Sequence, residues 1–367
     1  MERKLEKLKI KGFKSVRDQE LRLGNLNVFI GGNGSGKSNL IEVFRFLREI
    51  LSENLQQYTA QKGGADALLY FGRKTTDRIY LFLEYSEGLD AETSNSYQIE
   101  LAPTDEDSLY VAYEDAYYHE RRRYHQPFDL PISRGGAESK LRRNVHIAAQ
   151  QIASDLQEYL VYHFHDTSDS APMRGTSDVE DNRYLRPKAE NLAAFLYYLQ
   201  QAHGQHFRNI ESATRLVAPF FDKFRLSPSR LNAEKIRLEW AEKGDDGYFG
   251  PSALSDGTLR FICLATLLLQ PTPPRLVLLD EPELGLHPAA INVLAGLLRS
   301  ASANTQIVAA TQSVTLVNQL ELSELWAVDR EEHQSTFRSL RDADMSAWLD
   351  EYSIGDLWEK NLLGARP

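Results

Sequence analysis

The chain has 367 residues, 42% of them hydrophobic, and a formal net charge of −10 at pH 7. That length and apolar share suffice for a sizeable core and exclude a disordered tail, while the negative balance excludes a surface basic all over and leaves any nucleic-acid contact to a local patch. The longest largely apolar run, Phe261 to Leu269, is about half of the ~20 residues that a membrane helix needs.

The N-terminal residues Met1 to Lys7 lack the apolar core of a signal peptide, so a cytoplasmic protein with no membrane partner is expected. Cys263 is the one cysteine, which leaves no internal disulfide and no cysteine metal cluster.

In chain order, Leu8 to Lys11 alternates as a strand, Gly12 turns the chain, and Asn27 to Ile30 reads as a buried strand ending in glycines. From Lys37 to Leu51 the apolar residues Leu40, Ile41, Val43, Phe44, Phe46, Leu47, Ile50 and Leu51 recur at helical spacing. Strands are predicted at Arg78 to Tyr85, Tyr97 to Leu101 and Leu109 to Tyr117, with the alternation of an antiparallel sheet that has one wet face. Residues 119–234 are charged and rich in Arg, Tyr and Gln, with helical patterns at Ser139 to Tyr159, Asn191 to Gln205 and Ile210 to Phe220. An irregular loop is expected from Asp166 to Lys188, and the absence of a sustained heptad array excludes a long coiled-coil arm. Beyond residue 234 the pattern returns to α/β: strands at Ile236 to Trp240, Arg275 to Leu279 and Gln306 to Ala310, and helices at Thr258 to Leu269 and Pro288 to Ser300.

Three segments carry chemistry. Gly31-Gly32-Asn33-Gly34-Ser35-Gly36-Lys37-Ser38, followed by Asn39, fits G-x-x-x-x-G-K-[ST] between a buried strand and a helix. A plain glycine-rich turn would not require that context. Gly31, Gly34 and Gly36 let backbone N–H groups curl round phosphates at a helix N-terminus, where the dipole favours negative charge. Lys37 would reach the β- and γ-phosphates and the Ser38 hydroxyl would ligate Mg²⁺, so ATP and Mg²⁺ are the expected cofactors. Next, the apolar strand at Arg275 to Leu279 ends in Asp280 and Glu281, with Asp280 suited to the Mg²⁺ shell and Glu281 to polarising the water that attacks the γ-phosphate. The third segment is Leu254-Ser255-Asp256-Gly257-Thr258, ahead of a helix. A hydroxyl and free N–H groups there form an anion site, although a local helix cap at Ser255 or Asp256 explains the same residues.

These motifs, in this order, resemble the ABC ATPases: Ser255, Asp256 and Gly257 stand in an LSGGQ-type signature, and Glu283 to Pro288 is similar to the D-loop. The resemblance implies an α/β fold, a P-loop NTPase head of the ABC type with an antiparallel β side lobe and an inserted helical lobe. The expected division is 1–118 for the first part of the head, 119–234 for the helical lobe, and 235–367 for the second part with its tail. It also implies that two heads sandwich ATP, with Ser255 and Gly257 acting on the phosphate held by the partner copy. Gln312, in Thr311-Gln312-Ser313, stands where the family usually has a switch histidine. It can hydrogen-bond phosphate or water but cannot take a positive charge, so slow hydrolysis is expected.

Ile10-Lys11-Gly12-Phe13-Lys14-Ser15 before the phosphate loop resembles the RecF and structural-maintenance-of-chromosomes (SMC) group. Tyr162 to Ser168, Asp280 to Pro288 with Ala310 to Ser313, and Trp348 to Pro367 are similar to a bacterial family of single-chain predicted AAA ATPases resembling the head of OLD-type proteins. Such families are often linked to anti-phage defence. The resemblance places Lys14 and Ser15 near the base and ribose side of the nucleotide; as strand-end residues they could equally be exposed and idle. The stretch 313–367 is too short for an OLD-type nuclease domain, so a separate effector protein, such as a nuclease, is the expected partner beside a homodimer or higher homo-oligomer. An ATP-dependent DNA clamp like RecF is the alternative, and no Asn-Lys-x-Asp motif supports a GTPase.

Other signals admit two readings each. His163, His165 and Asp166 suit either a metal site or a lid loop near the nucleotide. Arg121 to Arg123 with Lys140, Arg142 and Arg143 suit either nucleic acid and acidic partners or a solvated charged face. The apolar stripe from Trp348 to Leu362 docks on its own head or on a partner.

Overall fold

The structure, a computed structural model, describes residues 3–86, 91–343 and 345–366. They fall into two units, one made of Met1–Leu160 and Leu322–Pro367, the other of Val161–Glu321.

In the first unit the alternating segments become a six-stranded antiparallel sheet in the order Val16–Arg22, Lys4–Phe13, Ile79–Ser86, Thr93–Pro103, Leu109–Glu120, Phe128–Arg134. Its register sets Leu8 opposite Leu21 and Leu83, and Ile10 opposite Leu81. A side-chain period of two then sends these residues to the buried face, while Lys7 and Lys11 on the other face pair with Glu20 (3.0 Å) and Asp18 (2.8 Å). Helix Lys37–Leu51 has the predicted bounds and buries every apolar residue that its periodicity selects. Phe46 stacks on Phe13 and Tyr58 with ring centroids 5.3 and 5.4 Å apart. Strand Leu26–Ile30 is wholly buried and runs parallel to Leu325–Glu331, which forms a hairpin with Gln334–Ser339.

The stretch read as mainly helical differs at its start. Phe128–Arg134 is a strand on the sheet edge, and the helix predicted over Ser139 to Tyr159 is a 3-10 turn, Leu141–Arg143, followed by helix Ile147–Gln157 capped by His146. Of the C-terminal apolar stripe, Leu357 and Trp358 are buried while Trp348, Leu349 and Leu362 stay exposed, and the end of the tail is bonded to its own unit. Trp358 is fully buried and donates its indole N–H to the Ala365 carbonyl, Ala365 N–H donates to Asp329 (2.7 Å), and Arg338 donates to the Leu363 carbonyl (2.6 Å).

In the second unit, strands Leu276–Asp280 and Gln306–Thr311 pair in parallel, with helix Pro288–Ala301 as the crossover. Helix Asp256–Leu269 packs against that helix and against Gly204–Val217, and it holds the buried Cys263, whose thiol burial pushes far above its usual range. The predicted strand Ile236 to Trp240 is split into Lys235–Arg237 and Trp240–Glu242, which pair with Thr176–Asp178 and Phe221–Phe224 in two separate ribbons. No helix among the described residues is long and apolar enough to cross a membrane.

Candidate functional site

The glycines of the first unit's loop answer to geometry. A Cβ on Gly31 would lie 2.4 Å from the Val328 carbonyl oxygen, and Gly36, at φ +117°, has Ser335 Oγ 2.0 Å from where its Cβ would be. No other residue fits such an approach. Lys37 is buried, and its ammonium donates to the carbonyls of Gly31 (2.5 Å) and Gly32 (2.9 Å). Ser35 Oγ is buried without a hydrogen-bond partner among the described residues, while Asn33, Gly34 and Ser38 are exposed. A buried hydroxyl left unbonded costs roughly 1–3 kcal/mol, and an anion cradled by the loop would satisfy it.

Ser15 lies in a turn, partly buried and hydrogen-bonded. Asn39 donates its side-chain amide to Ser15 Oγ (2.6 Å), Ser335 Oγ lies 2.7 Å from the same oxygen, and Ser335 reaches the Ser35 carbonyl at 2.5 Å. One hydroxyl chain thus ties Ser15 to the phosphate loop. Lys14, at φ +49°, lines a hollow with Leu69, Phe71 and Arg73. Burial lowers the pKa of its ammonium and the Glu42 carboxylate, 3.9 Å away, opposes that shift. Glu42 also accepts from Tyr58 and Arg45 (both 2.6 Å) and pairs with Lys62. Burial raises its pKa, but these partners outweigh burial and hold the carboxyl below its usual range.

The second unit gathers the carboxylates. Asp280 ends its strand half-buried, and the ring Nε2–H of His165 donates to its carbonyl (2.8 Å). Glu281 has φ +43°, a strained value for a residue with a Cβ, held by its N–H bond to Ala310 O (2.8 Å). Gln312 donates its side-chain amide to Glu281 Oε1. Glu283, 8% exposed, accepts from Thr311 Oγ1 (2.5 Å) and from the Gln312 N–H (3.3 Å). Burial, helped by the Glu281 charge, holds its carboxyl above the usual range.

Ser255 is the N-cap of helix Asp256–Leu269: it accepts from Thr258 N–H (3.2 Å) and remains exposed, as does Asp256. A Cβ on Gly257 would lie 2.6 Å from the Gly285 carbonyl oxygen, so glycine allows the signature-like turn to touch the D-loop-like turn. Arg174 locks this region from the irregular segment. Its buried guanidinium bonds Asp256 (2.8 Å), the Thr167 carbonyl (3.0 Å) and the Pro251 carbonyl. Arg260 likewise holds the carbonyls of Phe164 and His165, both at 2.8 Å. The rings of His163 and His165 are 6.0 Å apart, and among the described residues no group of three or more His, Cys, Asp or Glu is placed to hold a metal ion. Among the described residues, three of the six in the basic clusters form ion pairs, Arg121 with Glu84 (3.0 Å), Arg122 with Glu92, and Arg143 with Glu53, and Arg122 and Arg143 stay largely exposed.

Residues 26–318 match a family model described as "AAA domain, putative AbiEii toxin, Type IV TA system". No curated protein matches the chain in sequence. Among solved structures it is similar to an SMC head bound to the C-winged helix domain of ScpA, at 16% identity and TM-score 0.62, over 93% of this chain and 99% of that one. It is also similar to an SMC head domain with an extended coiled coil, bound to the C-terminal domain of ScpA derived from Pyrococcus furiosus, at 15% identity and TM-score 0.60, over 95% of this chain and 99% of that one. At those identities the likeness establishes the fold, the mixed α/β P-loop fold of SMC ATPase heads.

Proposed function

The chain belongs to the AAA-domain family whose model it matches over residues 26–318, and from that premise we propose that it binds ATP with Mg²⁺ and hydrolyses it between two heads. The observation that carries the proposal is the phosphate loop. Its glycines keep the turn tight, its lysine is coiled onto the loop carbonyls, and the buried Ser35 hydroxyl lacks the partner that a phosphate oxygen would supply.

The Ser38 hydroxyl and the Asp280 carboxylate are oxygen donors of the kind Mg²⁺ takes alongside phosphate; the ion, when bound, neutralises phosphate charge. In this reading Lys37 leaves the loop carbonyls for the β- and γ-phosphates. Glu281 orients the attacking water and accepts its proton, and Gln312 fixes the Glu281 carboxylate in place. Ser255, exposed at a helix N-terminus, caps the phosphate held by a second copy, with Asp256 and Gly257 shaping that turn. Lys14 and Ser15 border the base and ribose side.

The cycle serves as a switch for a separate effector in bacterial anti-phage defence. The family description, which speaks of an AbiEii toxin and a type IV TA system, supports a chain that works with a second component. A RecF-like DNA clamp is the second reading: Arg122 and Arg143 keep most of their side chains in solvent, and their surface pairs with Glu92 and Glu53 are weak enough to yield to phosphate.

Calorimetry with Mg²⁺ and ATP, together with phosphate release, tests the reading. Wild type should bind and turn over, and Lys37→Ala should lose both. A folded wild type without nucleotide affinity would sink it.

A further inference from the structure

The Glu283 carboxyl is more than nine-tenths buried, and its two oxygens differ sharply. Oε1 accepts from the Thr311 hydroxyl and the Gln312 N–H, while Oε2 is buried with no partner among the described residues. The hydroxyl of Thr311 is itself oriented by its bond from the Ser313 N–H (2.9 Å). These bonds fix the last turn of strand Gln306–Thr311, the point from which Gln312 reaches Glu281. An ionised carboxylate with one naked, buried oxygen beside Glu281 would be costly. A carboxyl that keeps its proton places an O–H on Oε2, leaves Oε1 as an acceptor, and adds no second negative charge next to Glu281. Burial pushes Glu283 in that direction.

We infer that Glu283 is a positioning residue that anchors Thr311 and Gln312 through Oε1, and so holds the Gln312 amide on Glu281. Its action runs through Gln312, whose amide in turn holds the Glu281 carboxylate. The inference rests on the ATPase reading for its consequence in turnover, but the anchoring exists without nucleotide.

Glutamine at 283 keeps the accepting oxygen and leucine removes it, so the pair separates anchoring from mere bulk. In ¹⁵N-glutamine-labelled protein without nucleotide, the side-chain amide resonance of Gln312, assigned through Gln312→Asn, should be shifted and protected in wild type and in Glu283→Gln. In Glu283→Leu it should move to the solvent-exposed position and exchange about ten-fold faster or more. In turnover, Glu283→Gln should hold kcat within about two-fold, whereas Glu283→Leu loses about ten-fold in kcat with KM for ATP within about two-fold. Adding Gln312→Ala to Glu283→Leu should cost nothing further, because both break the same arm. If the leucine variant does not fold, Thr311→Val, which removes the donor instead, carries the same expectations. An unchanged Gln312 resonance in the leucine or valine variant, or losses that multiply, would overturn the inference. The resonance decides even for a wild type that hydrolyses no ATP, the outcome that fails the ATPase reading instead.

Discussion

Gln312 donates its side-chain amide to Oε1 of Glu281 just beyond the ends of two neighbouring parallel strands, where Asp280 is in register with Ala310. The bond orients a carboxylate that would otherwise rotate freely, and it does so without a charge. Gln312→Ala should therefore lower kcat by about ten-fold and change KM by less than about two-fold, because ground-state contacts to the nucleotide survive. Phosphate release under saturating ATP reads it; an unchanged kcat would remove Gln312 from the mechanism.

The arrangement in trans predicts a complementation. Glu281→Gln should bind ATP and lose about 10²- to 10⁴-fold in turnover, and Ser255→Arg should also lose turnover by blocking the partner's phosphate. Mixing the two inactive proteins pairs an intact Glu281 from one copy with an intact Ser255 from the other, so part of the activity should return. A mixture as inactive as its components speaks against two heads sharing each site.

Gly257 shows how magnitudes decide a substitution. Alanine in a helix gains about 1 kcal/mol over glycine, but here its Cβ would sit 2.6 Å from the Gly285 backbone oxygen. Forcing two backbones apart costs roughly 1–3 kcal/mol, so Gly257→Ala should lower the thermal midpoint. A raised midpoint would mean that the two turns separate at no cost.

Glu42 makes stability depend on pH with a definite sign. Its folded carboxyl is held below the usual value by Lys62, Tyr58, Arg45 and Lys14, against the opposing effect of burial. The unfolded chain thus takes up the proton first as pH falls. The stability that Glu42 contributes is full above its unfolded pKa of about 4.3 and is lost as pH drops through the lower folded value. Urea midpoints for wild type and Glu42→Gln should lie well apart at neutral pH and converge in acid. A gap that persists at the acid end would contradict the assignment.

Much of this was readable in advance where one residue type has to satisfy a local backbone demand. The loop from Gly31 to Ser38 and the helix Lys37–Leu51 follow from glycine geometry and a 3.6-residue apolar period, which neighbours reinforce. Strand Phe128–Arg134 escaped because it is an edge strand with Pro131 in it and six of its seven residues at least partly exposed, so no apolar alternation marks it. The helix expected from Ser139 begins only at Ile147: the charged Leu141–Arg143 stretch closes as a 3-10 turn, Asn144 accepts from the His146 N–H, and His146 caps the helix. In the candidate site, the acidic pair was plain from its strand. Ser335 and Arg174 were not, nor was the contact that Glu283 makes, since each acts through partners that lie far away in sequence and no short pattern records such a pairing.

Cys263 is fully buried inside helix Asp256–Leu269, and burial suppresses its thiolate. To a maleimide reagent this chain is therefore blank. A single cysteine introduced at exposed Ser255 or Leu284 would be the one reactive handle on the molecule, and a dye or spin label placed there would convert any approach of two copies into a distance that a spectrometer can follow.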